Sequence, residues 1–285
     1  MFYVFILMPL LSVIKVITQG KYSKKNVKSF SDVLLYNTLA FFFSALVLAV
    51  IFLRHVPTLE VVLFSLASAI ASTLFQVFYT ITLKNGPIAI TSIMVSFNIV
   101  LTLIAGAVFF NEKWSIFTII GFIFMACAFY LMPARKDDKK SNLKWLILVV
   151  CTMLFSGLYG VVMLFFSKSA FACFQGEYVV LTFSFASLIC FILTLFTKRK
   201  EPITIKFNWV LPLIGIIIGG TLGLYNLLNV VALKNYDSYV AVPIINGTTI
   251  FLSMAVNSII DREKPTVKMI IGVVCAIVAI VLLNF

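Results

Sequence analysis

The chain has 285 residues, 62% of them hydrophobic and 11% charged, against roughly 45–50% apolar and 25% charged for a soluble domain. That balance excludes a water-soluble globular fold, whose interior could not hide so much apolar surface. The net charge of +12 is scattered between apolar stretches rather than gathered on one module, so membrane topology accounts for it and nucleic acid is not an expected partner.

A helix needs about 20 mostly apolar residues to cross the roughly 30 Å hydrocarbon core of a bilayer. On that rule the sequence predicts ten spans: Phe2–Gln19, Val33–Leu53, Val61–Leu83, Ile88–Phe110, Ser115–Met132, Trp145–Phe166, Tyr178–Thr197, Trp209–Leu233, Ser238–Ile260 and Met269–Phe285. The first lacks the basic start and small-residue cleavage site of a signal peptide and is expected to stay as a helix. It carries Pro9, which permits a bend, and Lys15, for which two readings stand. Lys15 either lines a cavity and pairs with a substrate carboxylate or phosphate, or snorkels to the interface from a position about one turn before the predicted helix end.

A polar side chain within a span is costly unless it faces other helices or a water-filled cavity. The second span holds Asn37, followed by Phe41-Phe42-Phe43, a run expected to face lipid. The third holds Gln76 and Tyr79, three residues apart and so on one helix face; the fourth holds Asn98 and the sixth Tyr159. The eighth holds Asn226 and Asn229, and the ninth Pro243 and Asn246. These amides and hydroxyls can orient a polar or zwitterionic solute; alternatively they hold the bundle together, at about 0.6 kcal/mol for each hydrogen bond. Gly215, Gly219 and Gly223 form small-xxx-small patterns in the eighth span, expected to let helices approach closely. Trp114, Trp145 and Trp209 fall at span ends, where headgroup-level positions are expected. The five cysteines, Cys127, Cys151, Cys173, Cys190 and Cys275, have no ligand-like spacing and are expected to be small buried apolar residues.

A shift of 150 residues lays Leu83-Lys84-Asn85 on Leu233-Lys234-Asn235, Gln76 on Asn226, Tyr79 on Asn229 and Ala105 on Ala255. After a one-residue insertion Glu112-Lys113 falls on Glu263-Lys264, Ile119-Ile120-Gly121 on Ile270-Ile271-Gly272 and Ala128 on Ala279. Near the front of each half a shift of 144 pairs Ser12 with Ser156, Lys15 with Tyr159, Thr38 with Thr182 and Arg54 with Lys198. Residues 1–140 and 141–285 thus read as two five-helix repeats. An odd number of spans in each makes the second enter the membrane in the opposite sense, the inverted plan of many secondary transporters. The predicted loops after spans one, three, five, seven and nine hold most of the basic residues, whereas those after two, four, six and eight hold only Arg54, Lys113, Lys168 and Lys234. By the positive-inside rule both termini lie outside the cytoplasm.

The segment Phe78-Tyr79-Thr80-Ile81-Thr82-Leu83-Lys84-Asn85-Gly86-Pro87 resembles the passage from the third to the fourth helix in the drug/metabolite transporter superfamily, in particular its ten-helix branch of duplicated EamA-type domains. Asn111-Glu112-Lys113, followed by an apolar helix with Gly121, is similar to the family's acidic-basic turn before the fifth helix. The second half departs from this pattern with Tyr236-Asp237 in place of Gly86-Pro87 and keeps the turn in Glu263-Lys264. The resemblance covers essentially the whole chain. It implies a ten-helix transporter of the cell membrane that moves amino acids, sugars, nucleotide derivatives, amines or drugs, with both termini cytoplasmic, opposite to the charge asymmetry.

All acidic residues, including Asp32, Glu60, Glu112, Glu177, Glu201, Asp237 and Glu263, fall in predicted loops or at span ends. A central carboxylate for cation–proton exchange is therefore not expected. His55 is the only histidine and sits in a loop, with no nucleophile–base set or paired intramembrane carboxylates, so an enzyme is not expected. Neither a phosphate-binding loop nor a metal or cofactor site is expected. The expected function is secondary transport of a small polar or amphipathic organic metabolite (amino acid, amine or drug-like solute) by alternating access. A flippase for lipids or lipid-linked precursors is the alternative, and a scaffold or sensor subunit ranks last. The expected partners are a small-molecule substrate and the bilayer, with monomer and homodimer both open.

Overall fold

The computed structural model describes residues 3–52, 55–86, 88, 91, 95, 98–111, 115–131, 143–205, 210–260 and 267–282. Arg54, Pro87, Glu112, Lys113, Trp114, Trp209, Glu263 and Lys264 lie outside the described residues, as do the side chains of Pro243, Ala128, Ala255 and Ile270. The described chain is all-α: α1 Val4–Asn26, α2 Phe30–Phe52, α3 Leu59–Asn85, α4 Ile99–Phe110, α5 Ile116–Leu131, α6 Leu143–Ser167, α7 Gln175–Thr197, α8 Val210–Asn235, α9 Ser238–Ile260 and α10 Val267–Leu282, with a 3₁₀ turn at Ala172–Phe174. Among the described residues six helical segments are long and apolar enough to cross a membrane: Val4–Asn26, Phe30–Phe52, Leu59–Asn85, Leu143–Ser167, Ala172–Thr197 and Leu211–Asn235; Ile99–Phe110 is a shorter apolar helix. The architecture is that of an integral membrane α protein.

The distribution of side chains follows from the solvent. On α1 the apolar residues turned outward are Ile6, Leu7, Leu10 and Ile14, while Lys15 and Gln19 are buried. Lipid tails solvate the apolar face at no cost, so the polar side chains gain by turning inward, where other polar groups meet them. The same logic buries Asn37 on α2, Ser65, Ser68, Ser72 and Thr80 on α3, and Asn226 on α8. Helix ends use local chemistry. Asn111 closes α4 in the left-handed conformation (φ 53°), its N–H bonded to Gly106 O, a conformation that asparagine tolerates better than most residues. That is the local role of the asparagine in the Asn111-Glu112-Lys113 turn.

At the centre α2 lies against α7, with Phe41 and Phe183 stacked at 5.7 Å. The glycines of α8 bring it onto α2: a Cβ on Gly219 would stand 2.6 Å from Ala40 O and 2.8 Å from Ser44 N, and one on Gly215 would strike the Phe43 ring. Ser44 Oγ donates across this seam to Gly219 O. The expected packing role of these glycines is what the geometry displays.

The largest helix packings recur when residues 1–140 and 141–285 are exchanged. Helix α1 packs on α8 and α9, and its counterpart α6 packs on α3 and α4; α2 packs on α8 as α7 packs on α3; and α2 with α7, like α5 with α10, pairs equivalent helices. The repeated Leu-Lys-Asn segments act alike as well. Lys84 Nζ donates to Lys28 O at 2.6 Å and Lys234 Nζ to Ala172 O at 3.2 Å, acceptors related by the same shift of 144 that pairs Ser12 with Ser156. Asn85 and Asn235 each donate to the carbonyl four residues earlier, on Ile81 and Val231.

Loop contacts sort the chain into two ends. At one, Asp32 is fully buried and accepts from the backbone N–H groups of Lys28, Ser29, Thr204 and Ile205 and from Thr204 Oγ1, at 2.6 to 3.1 Å. Glu201 accepts from Phe30 N there. At the other end Glu177 accepts from His55 N at 3.1 Å and lies 3.1 Å from its Nδ1, and Lys168 pairs with Asp237 at 3.1 Å. Each carboxylate at the start of α2 or α7 thus holds the loop that follows the equivalent helix of the other half.

Candidate functional site

A cavity of about 140 Å³ lies within the bundle. At about 10–15 Å³ for each water on this measure, it holds roughly ten waters or a small metabolite. Its wall draws on both halves: Ser12, Lys15 and Val16 from α1; Ser72, Phe75, Gln76 and Tyr79 from α3; Val95, Asn98 and Thr102 at α4; Ser156, Tyr159 and Gly160 from α6; Leu222, Tyr225, Asn226, Asn229 and Leu233 from α8; and Val242, Ile245, Asn246 and Thr249 from α9. Phe41 of α2 and Phe183 of α7 complete it.

Of the residues singled out in the sequence, Gln76, Tyr79, Asn226, Asn229, Asn98, Asn246, Lys15 and Tyr159 all come together on this wall. Asn37 does not. It lies behind the wall, where Thr80 Oγ1 sits 3.2 Å from its Oδ1 and its own Nδ2 makes a long 3.5 Å contact to Gln76 O. Gln76 is braced in turn by Gln19, whose Nε2 donates to Thr80 Oγ1 at 3.1 Å and approaches Gln76 Oε1 at 3.4 Å. In the second half Tyr159 Oη donates to Asn226 Oδ1 at 3.0 Å, leaving the Asn226 amide to donate to Leu222 O at 2.8 Å. Asn98 Nδ2 donates to Ser156 Oγ. The two halves therefore build their parts of the wall differently: a glutamine–threonine–asparagine network behind α3, and a tyrosine–asparagine pair facing the space between α6 and α8.

The snorkelling reading of Lys15 fails. Helix α1 continues past Gln19 to Asn26, so Lys15 sits at mid-helix rather than one turn from its end, and its side chain lines the cavity. It is 8% exposed, with Nζ 5.6 Å from the ring centroids of both Phe75 and Tyr79. The phenylalanine run also divides: Phe42 faces outward, but Phe41 is buried at the cavity. Lipid and core are both apolar, so such a run carries no signal of which face is which. Trp145, at the start of α6, is buried, its indole filling the place where a side chain on Gly86 would stand, 2.0 Å from a Cβ built there. Among the cysteines only Cys190 is buried; Cys127 and Cys173 are exposed, since outward faces of this bundle are as apolar as its core.

Sequence reasoning passed over Ser12, Ser72, Thr102, Ser156, Tyr225 and Thr249. Hydroxyls in spans are a weak signal because they satisfy themselves on the preceding turn, as Thr249 does on Ile245 O at 2.7 Å and Ser72 on Ala69 O at 3.1 Å.

A comparison with curated protein sequences finds no match. Solved structures do match: one crystal structure of a protein, 12% identical, superposes with a TM-score of 0.69 over 98% of each chain, a likeness of fold alone. The model of the EamA-like transporter family matches twice, over residues 4–133 and 143–285. With apolar helices long enough to cross a bilayer and a family model matched along nearly its whole length, this multi-pass membrane protein belongs to the EamA-like transporter family.

Proposed function

We propose that the protein is a secondary transporter that carries a small polar or amphipathic organic metabolite across the cell membrane by alternating access. The observation that carries this reading is the cavity in the middle of the bundle, whose polar groups come from equivalent positions of both halves: Gln76 with Asn226, Tyr79 with Asn229, Ser12 with Ser156. A midplane site at the interface of repeats is where secondary transporters bind. Ten spans in two inverted repeats, 1–140 and 141–285, fit the recurring main helix packings and the twofold family match.

The end of the bundle that holds Asp32 also carries Lys21, Lys24, Lys25, Lys28, Lys84, Lys198, Arg199 and Lys200, whereas the described basic residues at the other end are Lys168 and Lys234. This supports a basic end in the cytoplasm and both termini outside. Partners in this reading are the solute and the bilayer, as a monomer or homodimer.

The test is a thermal-shift screen of the purified protein against amino acids, amines, nucleosides, sugars and phospholipid headgroups, followed by uptake of any hit into proteoliposomes. A water-soluble solute should stabilise the protein and be moved, with uptake falling at least tenfold in Gln76→Ala or Asn226→Ala. Stabilisation by lipids alone, with no soluble solute moved, would replace this reading with a flippase.

A further inference from the structure

The cavity holds a lysine that faces no carboxylate among the described lining residues. Lys15 is 8% exposed, lines the cavity, and makes no hydrogen bond or ion pair with another described residue. Its Nζ lies over Phe75 and Tyr79, at 5.6 Å from each centroid, and those rings stack at 5.5 Å. Aromatic faces attract an ammonium but do not neutralise it. Among the described lining residues none is an aspartate or glutamate, and Asp32 and Glu177 are engaged at the bundle ends. A buried lysine holds its proton only where a counter-charge meets it.

Exchange of the halves places Lys15 where the second half has Tyr159, whose hydroxyl is already used on Asn226 Oδ1. Charge therefore stands on one wall only, and the opposite wall offers neutral amides and hydroxyls. We propose that the counter-charge arrives with the solute: a single carboxylate of a small organic monoanion pairs with Lys15, while its body lies against Phe41, Phe183 and the amides facing them. One cation, with no second basic residue among the described lining residues, suits one carboxylate better than a phosphate dianion or a dicarboxylate. An amine would meet Lys15 as a like charge. The inference rests on the transport reading and names its substrate class.

The experiment uses the full-length protein in detergent, melted and titrated with acetate, pyruvate, benzoate and phenylacetate, and with benzylamine, benzyl alcohol and phenyl phosphate as shape-matched controls. At least one carboxylate should raise the melting temperature while benzylamine and benzyl alcohol do not. Lys15→Met should weaken that carboxylate at least tenfold, with a ligand-free melting temperature at or above that of the unaltered protein because an uncompensated charge has been removed. Lys15→Arg should keep binding within a few-fold. Binding of no carboxylate, a preference for phenyl phosphate over benzoate, or carboxylate binding that survives Lys15→Met would each overturn the proposal. So would a Lys15→Met protein that melts lower and an Arg variant that also fails to bind, which together mean a structural lysine. Proteoliposome counterflow separates the two readings: uptake of a neutral or cationic solute, unaffected by Lys15→Met, would overturn the anion assignment and leave transport standing. Movement of lipid alone would end both.

Discussion

Asp32 is the most heavily bonded carboxylate among the described residues, with donors from two loops on its two oxygens. Removing it strands backbone N–H groups of Thr204 and Ile205, each costing about 1–3 kcal/mol if left unsatisfied. Asp32→Ala should therefore lower stability by on the order of 3 kcal/mol, read as a melting temperature several degrees lower. Asp32→Asn keeps one acceptor oxygen and should cost less. Equal losses in the two variants would mean that the hydrogen bonds are not what the residue contributes. The polar residues of the cavity were legible in the sequence for a related reason: a glutamine or asparagine in a lipid-spanning segment has few places to go but inward. Lys15 was legible as a candidate but not as to where its stem would point, because that depended on where α1 ended.

At the scale of elements, the end of α1 shows what composition hides. Lys21, Lys24 and Lys25 close the apolar window after Gln19, yet the helix runs on through them, since lysines near a helix C-terminus are favoured there and solvated beyond the bilayer core. The seam between α2 and α8 gives a sharper test. Gly219→Ala would drive a methyl group into backbone atoms of Ala40 and Ser44 and should cost about 1–3 kcal/mol. Gly220→Ala meets nothing within 4 Å and should be neutral or stabilise by up to about 1 kcal/mol through helix propensity. A differential scan of both variants checks the contrast, and an unchanged Gly219→Ala protein would show that the helices can part. The glycine pattern was visible in the sequence, but its partner helix was not, because every neighbouring span is equally apolar.

For the whole molecule, orientation is the open quantity that charge argues. Cys173 lies exposed in the turn between α6 and α7, at the end of the bundle poor in basic residues. If that end is extracytoplasmic, a membrane-impermeant maleimide added to intact cells should label Cys173 and lose most of its signal in Cys173→Ser. Labelling only after permeabilisation would reverse the topology and side with the family expectation. The repeat was legible in the sequence through matched positions such as Lys84 and Lys234, each of which donates to a backbone carbonyl, on Lys28 and Ala172. The interleaving of the halves was not, because a repeat in sequence says nothing of whether each copy encloses its own core.

That interleaving bears on how the chain is made. The carboxylate of Asp32 and the N–H of Thr204 that it accepts are separated by 172 residues. At about 5–20 residues per second the ribosome needs roughly 10–35 s to supply the second after the first. Through that interval the early helices sit in or beside the insertion machinery with the clasp open, the glycine seam of α8 not yet made and Lys15 facing an unfinished wall. Biogenesis of this protein is therefore a matter of delay as much as of insertion.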